Sequence, residues 1–533
     1  MKPANQSGDL FRGALILTAA ALITKVLSAV YRVPFQNIVG DVGFYIYQQV
    51  YPFYGIAIVL STYGFPVVIS KLYAEQAKSR KEALQLLAAS GLFLLAIGLA
   101  AFLIMFAGAD WIASQMGDPR LGILLRTLSP VFLLLPATAL LRGYFQGRGD
   151  MLPTAVSQVG EQAIRVATIL AAASILMKEG ASLYTAGSGA VFGSVTGGIA
   201  SAAILSAFFW RRIKKEAAGA ASIGLSGKAV LMTMKTIALQ GAAISAASML
   251  LILLQLADSL NLYSLLVSGG LDAEEAKKLK GIYDRGQPLI QLGTVIATSM
   301  SLSLVPLITA EKLKNNQQFL AEKAGLAIRV SLLFGTGAAF GLWAIIKPVN
   351  IMLFENAEGS EVLSVLSLFI FFASIIMTLA AILQGLGHTF FPAAVMIGGF
   401  GIKYVLNILL VPAAGTMGAA IAACAALAIV LLVLLARLRL LLRQPLVPGR
   451  FILGLGTAAA VMLLYLKGYL LAAGFLAGEG RLAAGLIALS AAATGGIVFM
   501  LLALKGETFR KEEISMLPFG SKLGYLLPGR NRR

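Results

Sequence analysis

Apolar residues run through this chain in stretches of about twenty or more, the length a helix needs to cross ~30 Å of hydrocarbon. Such runs fall near 13–33, 44–70, 84–106, 121–143, 154–177, 184–210, 228–257, 285–308, 324–346, 362–384, 390–412, 416–442, 451–473 and 482–505. They predict fourteen membrane-spanning helices in an all-α integral membrane protein. Composition agrees, since 58% of the residues are apolar and 13% charged, with mean hydropathy +0.85. A soluble multi-domain protein is excluded.

The polar segments between the runs set the orientation. Alternate segments, including both termini, hold 28 Lys and Arg; the other segments hold nine, four of them in Leu260–Arg285. By the positive-inside rule both termini are expected in the cytoplasm. Topology therefore absorbs most of the net charge of +19, and no nucleic-acid partner is expected. The basic C-terminal tail, ending GRNRR, is expected to bind anionic lipid of the inner leaflet. The N-terminal MKPANQSGDLFRG lacks the h-region and cleavage site of a secretory signal, so the first run is expected to be retained as a span. Cys424 is the single cysteine, which excludes an internal disulfide framework, and the single histidine, His388, falls in a predicted loop. No metal and no cofactor are expected.

The sequence also repeats. Gln146-Gly147-Arg148-Gly149, Pro153 and Arg165 are echoed by Gln384-Gly385-Leu386-Gly387, Pro392 and Lys403, with the cation nineteen residues after the Gln in both. FPVVISKLYAEQ, with Pro66, matches VPLITAEKLKNN, with Pro306, at nearly the same offset. Two pseudo-symmetric six-helix lobes are expected, at 1–222 and 223–446, related by an axis along the membrane normal. Two extra C-terminal helices and the tail occupy 447–533. The QGxG element reads as a helix cap followed by a tight inner hairpin. Gly189, Gly193 and Gly197 read as a small-residue ladder for close helix packing.

With cations toward the run ends, Arg142 among them, counted in the flanking polar segments, six remain within the runs: Lys25, Arg32, Arg126, Arg165, Lys235 and Lys403. A cation at mid-bilayer costs at least ~3 kcal/mol, so each requires water, a partner or an interface. Lys25 and Arg32 stand seven residues apart, on one helix face. Either Arg32 snorkels to headgroups while Lys25 pairs with an acid elsewhere, or the two present a basic stripe to an anion-binding cavity. Glu161 precedes Arg165 by four residues and is expected to neutralise it, either as a structural pair or as a gate or proton-coupling site. Lys25, Arg32, Arg126 and Lys403 have no evident acid, which points to a substrate that brings the negative charge, such as a pyrophosphate.

The stretch YDRGQPLIQLGTVIATSMSLSLVPLITA, with Asp284-Arg285 at its start, resembles the eighth span of MurJ-type lipid II flippases. These belong to the MOP superfamily, together with MATE and Wzx-like exporters. TKVLSAVYR in the first span is similar to the basic first-helix motif of that family, with Lys25 where an Arg is common. VYPFYGIAIVLSTYGFPVVISKLYAEQ resembles the SpoVB branch. The resemblance implies alternating-access transfer of lipid II, an undecaprenyl-pyrophosphate-linked disaccharide-pentapeptide, from the inner to the outer leaflet of a bacterial plasma membrane, by a monomer. It implies that Lys25, Arg32 and Arg285, with Asp284, form the substrate site, and that spans 13 and 14 make a groove for the lipid tail. Some relatives place sodium ligands on span 11, where this chain has Lys403 and Asn407; a fixed ammonium in place of the ion is the reading adopted. Coupling or gating is thus expected at Glu161, Arg165, Lys403 and Asn407.

Other classes fit less well. A Wzx-like exporter of another polyprenyl-linked oligosaccharide would want the same basic cavity. A MATE-type exporter of cationic drugs would need acids in its spans, and a membrane glycosyl polymerase would need a larger outer loop than Asp258–Asp284, which reads as a short amphipathic helix. No enzyme activity is expected.

The orientation is testable by cysteine labelling after Cys424 is replaced. Single cysteines at 72–82 or 212–216 should be shielded from an impermeant thiol reagent in intact cells, and one at 268–278 should react. The opposite pattern would invert the topology.

Overall fold

A computed structural model describes residues 4–76, 79–216, 227–295, 308, 317–444, 446–476 and 480–505. Most of the second half of the eighth span, Pro306, the middle of the interlobe linker and the basic tail lie outside the described residues. The chain begins with α1 (Ala4–Val30), α2 (Arg32–Val59), α3 (Phe65–Gln76), α4 (Arg80–Ala107), α5 (Ala109–Gln115) and α6 (Gly122–Leu128). Next come α7 (Val131–Gly147), α8 (Leu152–Lys178), α9 (Leu183–Glu216), α10 (Gly227–Ser248), α11 (Leu250–Ser268) and α12 (Ala273–Asp284). The remainder is α13 (Gly286–Gly293), α14 (Gln317–Phe354), α15 (Ser360–Gly385), α16 (Phe390–Leu442), α17 (Gly449–Leu476) and α18 (Arg481–Lys505). The fold is all-α, with no strand among the described residues.

Among the described residues, twelve helical stretches are long and apolar enough to cross a membrane. Two of them, Ile16–Glu75 and Phe390–Leu442, hold two spans each. Between the runs expected as separate spans, the chain bends at single glycines, Gly40 (φ 69°) and Gly415 (φ 56°). Only a residue without a Cβ takes that backbone conformation at no steric cost. The seventh span is interrupted at Met249 between α10 and α11, and the eighth begins as α13. Among the described residues these make thirteen of the expected spans, and the start of the eighth.

The QGxG elements take one geometry in both copies. Gly149 and Gly387 have φ of 76° and 87°. Gly149 N–H donates to the Gln146 carbonyl at 2.9 Å and Asp150 N–H to that of Phe145 at 3.0 Å. Gly387 and His388 repeat this toward Gln384 and Leu383, both at 2.9 Å. These bonds satisfy carbonyls that a helix end leaves without partners.

Packing inside the bundle relies on small residues, because lipid tails are as apolar as leucine and give helices no hydrophobic reason to associate. The outer stripe of α4 accordingly exposes Leu92, Leu95, Leu99, Leu103 and Phe106. The glycine ladder of α9 lies against α8. A Cβ at Gly193 would sit 2.9 Å from the Arg165 carbonyl, and one at Gly197 would sit 2.7 Å from that of Glu161. The backbones of α8 and α9 thus approach most closely beside Glu161 and Arg165.

By internal contacts the chain divides into two compact units. Unit 1 is Met1–Asp284 with Thr389–Ala419, and unit 2 is Arg285–His388 with Ala420–Arg533.

Two glycine substitutions separate backbone strain from steric conflict. A Cβ at Gly149 meets nothing within 4 Å, so Gly149→Ala should lower stability by about 1–2 kcal/mol, the cost of left-handed backbone alone. Gly197→Leu should prevent accumulation of folded protein, because it drives α9 off the Glu161 carbonyl. Thermal unfolding in detergent checks both; equal effects would refute the distinction.

Candidate functional site

One fully buried cation of unit 1 was counted by the charge pattern in an inner segment. Arg142, on α7, is fully buried and spends all five of its N–H groups. Nη2 donates to Glu161 Oε2 at 2.7 Å and to Ser201 at 2.8 Å; Nη1 donates to Thr62 at 2.8 Å and to the Ser61 carbonyl at 3.3 Å. Nε reaches Ser157 at 3.3 Å. Ser61 and Thr62 lie in a π-helical turn, Leu60–Gly64, that joins α2 to α3. Arg142 therefore ties that turn to α7, α8 and α9. The expected Glu161–Arg165 pair is not formed. The i,i+4 spacing brings the two onto one face, yet the Glu161 carboxylate turns to the guanidinium of α7.

Arg165 is held instead by neutral groups. Its Nη2 donates to Tyr31 Oη at 3.0 Å and Tyr47 Oη at 2.8 Å, its Nε to Ser194 at 3.3 Å and its Nη1 to Gln162 Oε1 at 3.3 Å. The guanidinium also lies 4.1 Å from the centre of the Tyr54 ring. Arg32, only 2% exposed, stacks 4.3 Å above Tyr51, the ring that Arg165 approaches at 5.6 Å. Two guanidinium groups thus flank one phenol, an arrangement that aromatic faces stabilise by cation–π attraction. Lys25, seven residues earlier, is half-buried on α1, whereas Arg32 opens α2, so the two do not share one helix face as expected.

Lys403 has a partner that the sequence did not offer. Asp258, taken as the start of the outer loop, lies within α11, which continues to Ser268, and it is 1% exposed. Lys403 Nζ donates to Asp258 Oδ2 at 2.7 Å and to Tyr283 Oη at 3.2 Å. Asn407 Nδ2 donates to Asp258 Oδ1 at 3.0 Å and to Asn261 Oδ1 at 2.9 Å. Arg126 likewise has an acid, exposed Asp110. The shortage of local acids is therefore narrower than the sequence suggested, and Lys403 and Arg126 leave it.

The expected outer helix exists as α12, but only one face of it is solvated. Lys280 and Asp284 are buried and paired at 2.7 Å. Burial pushes the Asp284 carboxyl up to about 6 although the Lys280 ammonium pulls it down. A Cβ at Gly281 would overlap the Asp41 carbonyl, so α12 packs directly on α2. In unit 2, Arg285 is fully buried; its Nη1 donates to Asn350 Oδ1 at 3.2 Å and Asn356 Oδ1 at 2.8 Å, at the turn joining α14 to α15.

Residues 10–310 match the family described as "Polysaccharide biosynthesis protein", and residues 281–409 match MatE. The chain is 47% identical over 529 residues to the "Uncharacterized membrane protein YabM" of Bacillus subtilis (strain 168), covering 98% of this chain and 97% of that one. It is 26% identical to two further proteins of that organism. For "Lipid II flippase MurJ" the match covers 78% and 80% of the two chains, and for "Stage V sporulation protein B" 96% and 98%. A solved lipid II flippase MurJ in an inward closed conformation shares the fold, with TM-score 0.68 at 16% identity over 91% of this chain and 98% of that one.

The Arg142–Glu161 pair makes a sharp prediction. Glu161→Leu strands a buried guanidinium and should destabilise the protein by about 3–5 kcal/mol, whereas Arg142→Leu with Glu161→Leu should recover most of that loss. Unfolding midpoints of the single and double variants in detergent would show it; a double variant as unstable as the single would overturn the assignment.

Proposed function

We propose, from the premise that this chain belongs to the polysaccharide biosynthesis protein family of the MOP superfamily, that it is a lipid II flippase of the bacterial plasma membrane with both termini in the cytoplasm. The coarser part, a multi-pass flippase-type transporter, follows from the family and the fold. The substrate rests on charge. The observation that carries it is Arg165, 1% exposed, whose hydrogen-bond partners are all uncharged. A guanidinium keeps its proton at any physiological pH, so that charge persists inside the bundle. A substrate bearing a diphosphate complements it, and a cationic drug does not. Of the buried acids, Glu161, Asp258 and Asp284 each face a cation, while Asp118, held by the Tyr45 and Tyr184 hydroxyls, is the exception.

Lys25, Arg32 and Arg285 are assigned to the diphosphate because guanidinium groups bind phosphate oxygens in bidentate fashion. Lys403 serves as a fixed cation for Asp258 and the two asparagines, which favours transport without sodium. Asp258 cancels its charge, so Lys403 adds nothing to the net charge on which a membrane potential acts. Arg165 still does, at ~2.3 kcal/mol per charge per 100 mV if it crosses the full field. The inside-negative potential then draws the empty carrier back toward the inward-facing state.

Lipid II accessibility to an externally added probe, in cells depleted of their native flippase, tests this reading. Arg285→Ala at normal protein level should abolish rescue, and Lys25→Arg should retain it. Depolarisation with a potassium ionophore should stop flipping, and replacement of sodium by choline should not. Rescue by Arg285→Ala, or a strict sodium requirement, would overturn the respective assignment.

A further inference from the structure

Hydrogen-bond donors around Arg165 outnumber the acceptors. Tyr31 and Tyr47 both accept from Arg165 and share one bond of 2.7 Å between their hydroxyls. That bond uses one phenolic hydrogen and leaves the other without an acceptor among the described residues. Ser194, 3% exposed, accepts from Arg165 Nε, and its own hydroxyl hydrogen has no acceptor there either. Gln162, 7% exposed, gives its Oε1 to Arg165 while its Nε2 is buried with no partner. Arg165 itself engages four of its five N–H groups. Glu161, the nearest acid in sequence, is committed to Arg142. Beside this cluster lies a small cavity with room for about one water-sized group; Tyr47 and Ser194 of the cluster line it, with Tyr51, Tyr54 and the apolar Val50, Leu128 and Val191.

Leftover buried donors each cost about 1–3 kcal/mol, and a permanent positive charge in their midst adds to the demand for a negative acceptor. We propose that Arg165, Gln162, Ser194 and the Tyr31–Tyr47 pair form a pocket in unit 1 for one anionic oxygen of the phosphoryl type. The source is either the diphosphate of the transported lipid or free phosphate. The pocket assigns Arg165 to anion recognition, a different role from the gate or coupling site expected of it. It depends on the flippase reading only in naming the lipid as one source.

Binding of undecaprenyl pyrophosphate, inorganic phosphate and uncharged undecaprenol to the purified full chain in nanodiscs tests the pocket. Gln162→Glu keeps the acceptor that Arg165 uses and replaces the spare donor by a carboxylate; it should weaken binding of the charged probes by more than a hundredfold. Ser194→Ala should cost about tenfold, the worth of one hydrogen bond to a charged acceptor. Undecaprenol binding should not change. Donor-dependent binding of the lipid alone identifies the substrate as the source, and equal donor dependence with inorganic phosphate identifies the free ion. Charged-probe binding that is absent in the wild type, or unchanged in variants with wild-type unfolding midpoints, overturns the proposal. Lipid II flipping in proteoliposomes is read separately. Donor-dependent binding without flipping would sink the transport reading and leave the pocket, whereas flipping with donor-independent binding would sink the pocket alone.

Discussion

A guanidinium inside a membrane bundle cannot shed its proton, so the protein must do for it what water does outside. Unit 1 is built around that constraint. Arg142 and Arg165 sit on adjacent helices, α7 and α8, and between them they recruit groups from the first two spans, the π-helical turn, α8 and α9. The glycines of α9 make this possible. With Gly193 and Gly197 against the carbonyls of Arg165 and Glu161, the two helices come close enough for Ser194 and Ser201 to reach the guanidinium groups. Close packing and charge solvation are one design here.

The internal repeat places a cation nineteen residues after the Gln in each copy, yet the two copies solve its burial by opposite means. Arg165 is surrounded by phenols, an amide and a hydroxyl, and its charge is left standing. Lys403 meets a carboxylate and is neutralised. The two elements share the position and the helix caps before it, while their charge balance differs. Any anion drawn by this part of the molecule is therefore drawn by the N-terminal copy.

Much of the fold was legible because it depends on short-range rules. Run length gave the spans, glycine at a helix end gave the QGxG turns, and small-residue spacing marked the closely packed face of α9, though not its partner. What sequence reading missed are choices between neighbours in space. Glu161 had a cation one turn away and took another from α7, and no sequence spacing encodes that preference. Arg142 stood at the last turn of an apolar run and read as a loop residue. Asp258 was assigned to the outer loop because the apolar run weakens there, although the helix runs ten residues further to Ser268. A polar residue just beyond an apolar run is where such an error arises, since the helix often outlasts the hydrophobicity that announces it.

Counting donors separates the two buried arginines more sharply than burial or charge does. Both are nearly inaccessible, and both would be flagged as functional because they are ionisable groups in a membrane. Arg142 spends every N–H, one of them on a carboxylate, so a ligand could bind it only by breaking a bond already made. Its role is complete within the fold. Arg165 keeps a spare N–H, lacks a carboxylate, and stands among neighbours with donors of their own to spare. A group that holds a bundle together gains from full satisfaction, whereas one that must take up and release an anion has to leave its last bonds unmade. The difference between a rivet and a receptor lies in that remainder, and in unit 1 the remainder gathers at Arg165.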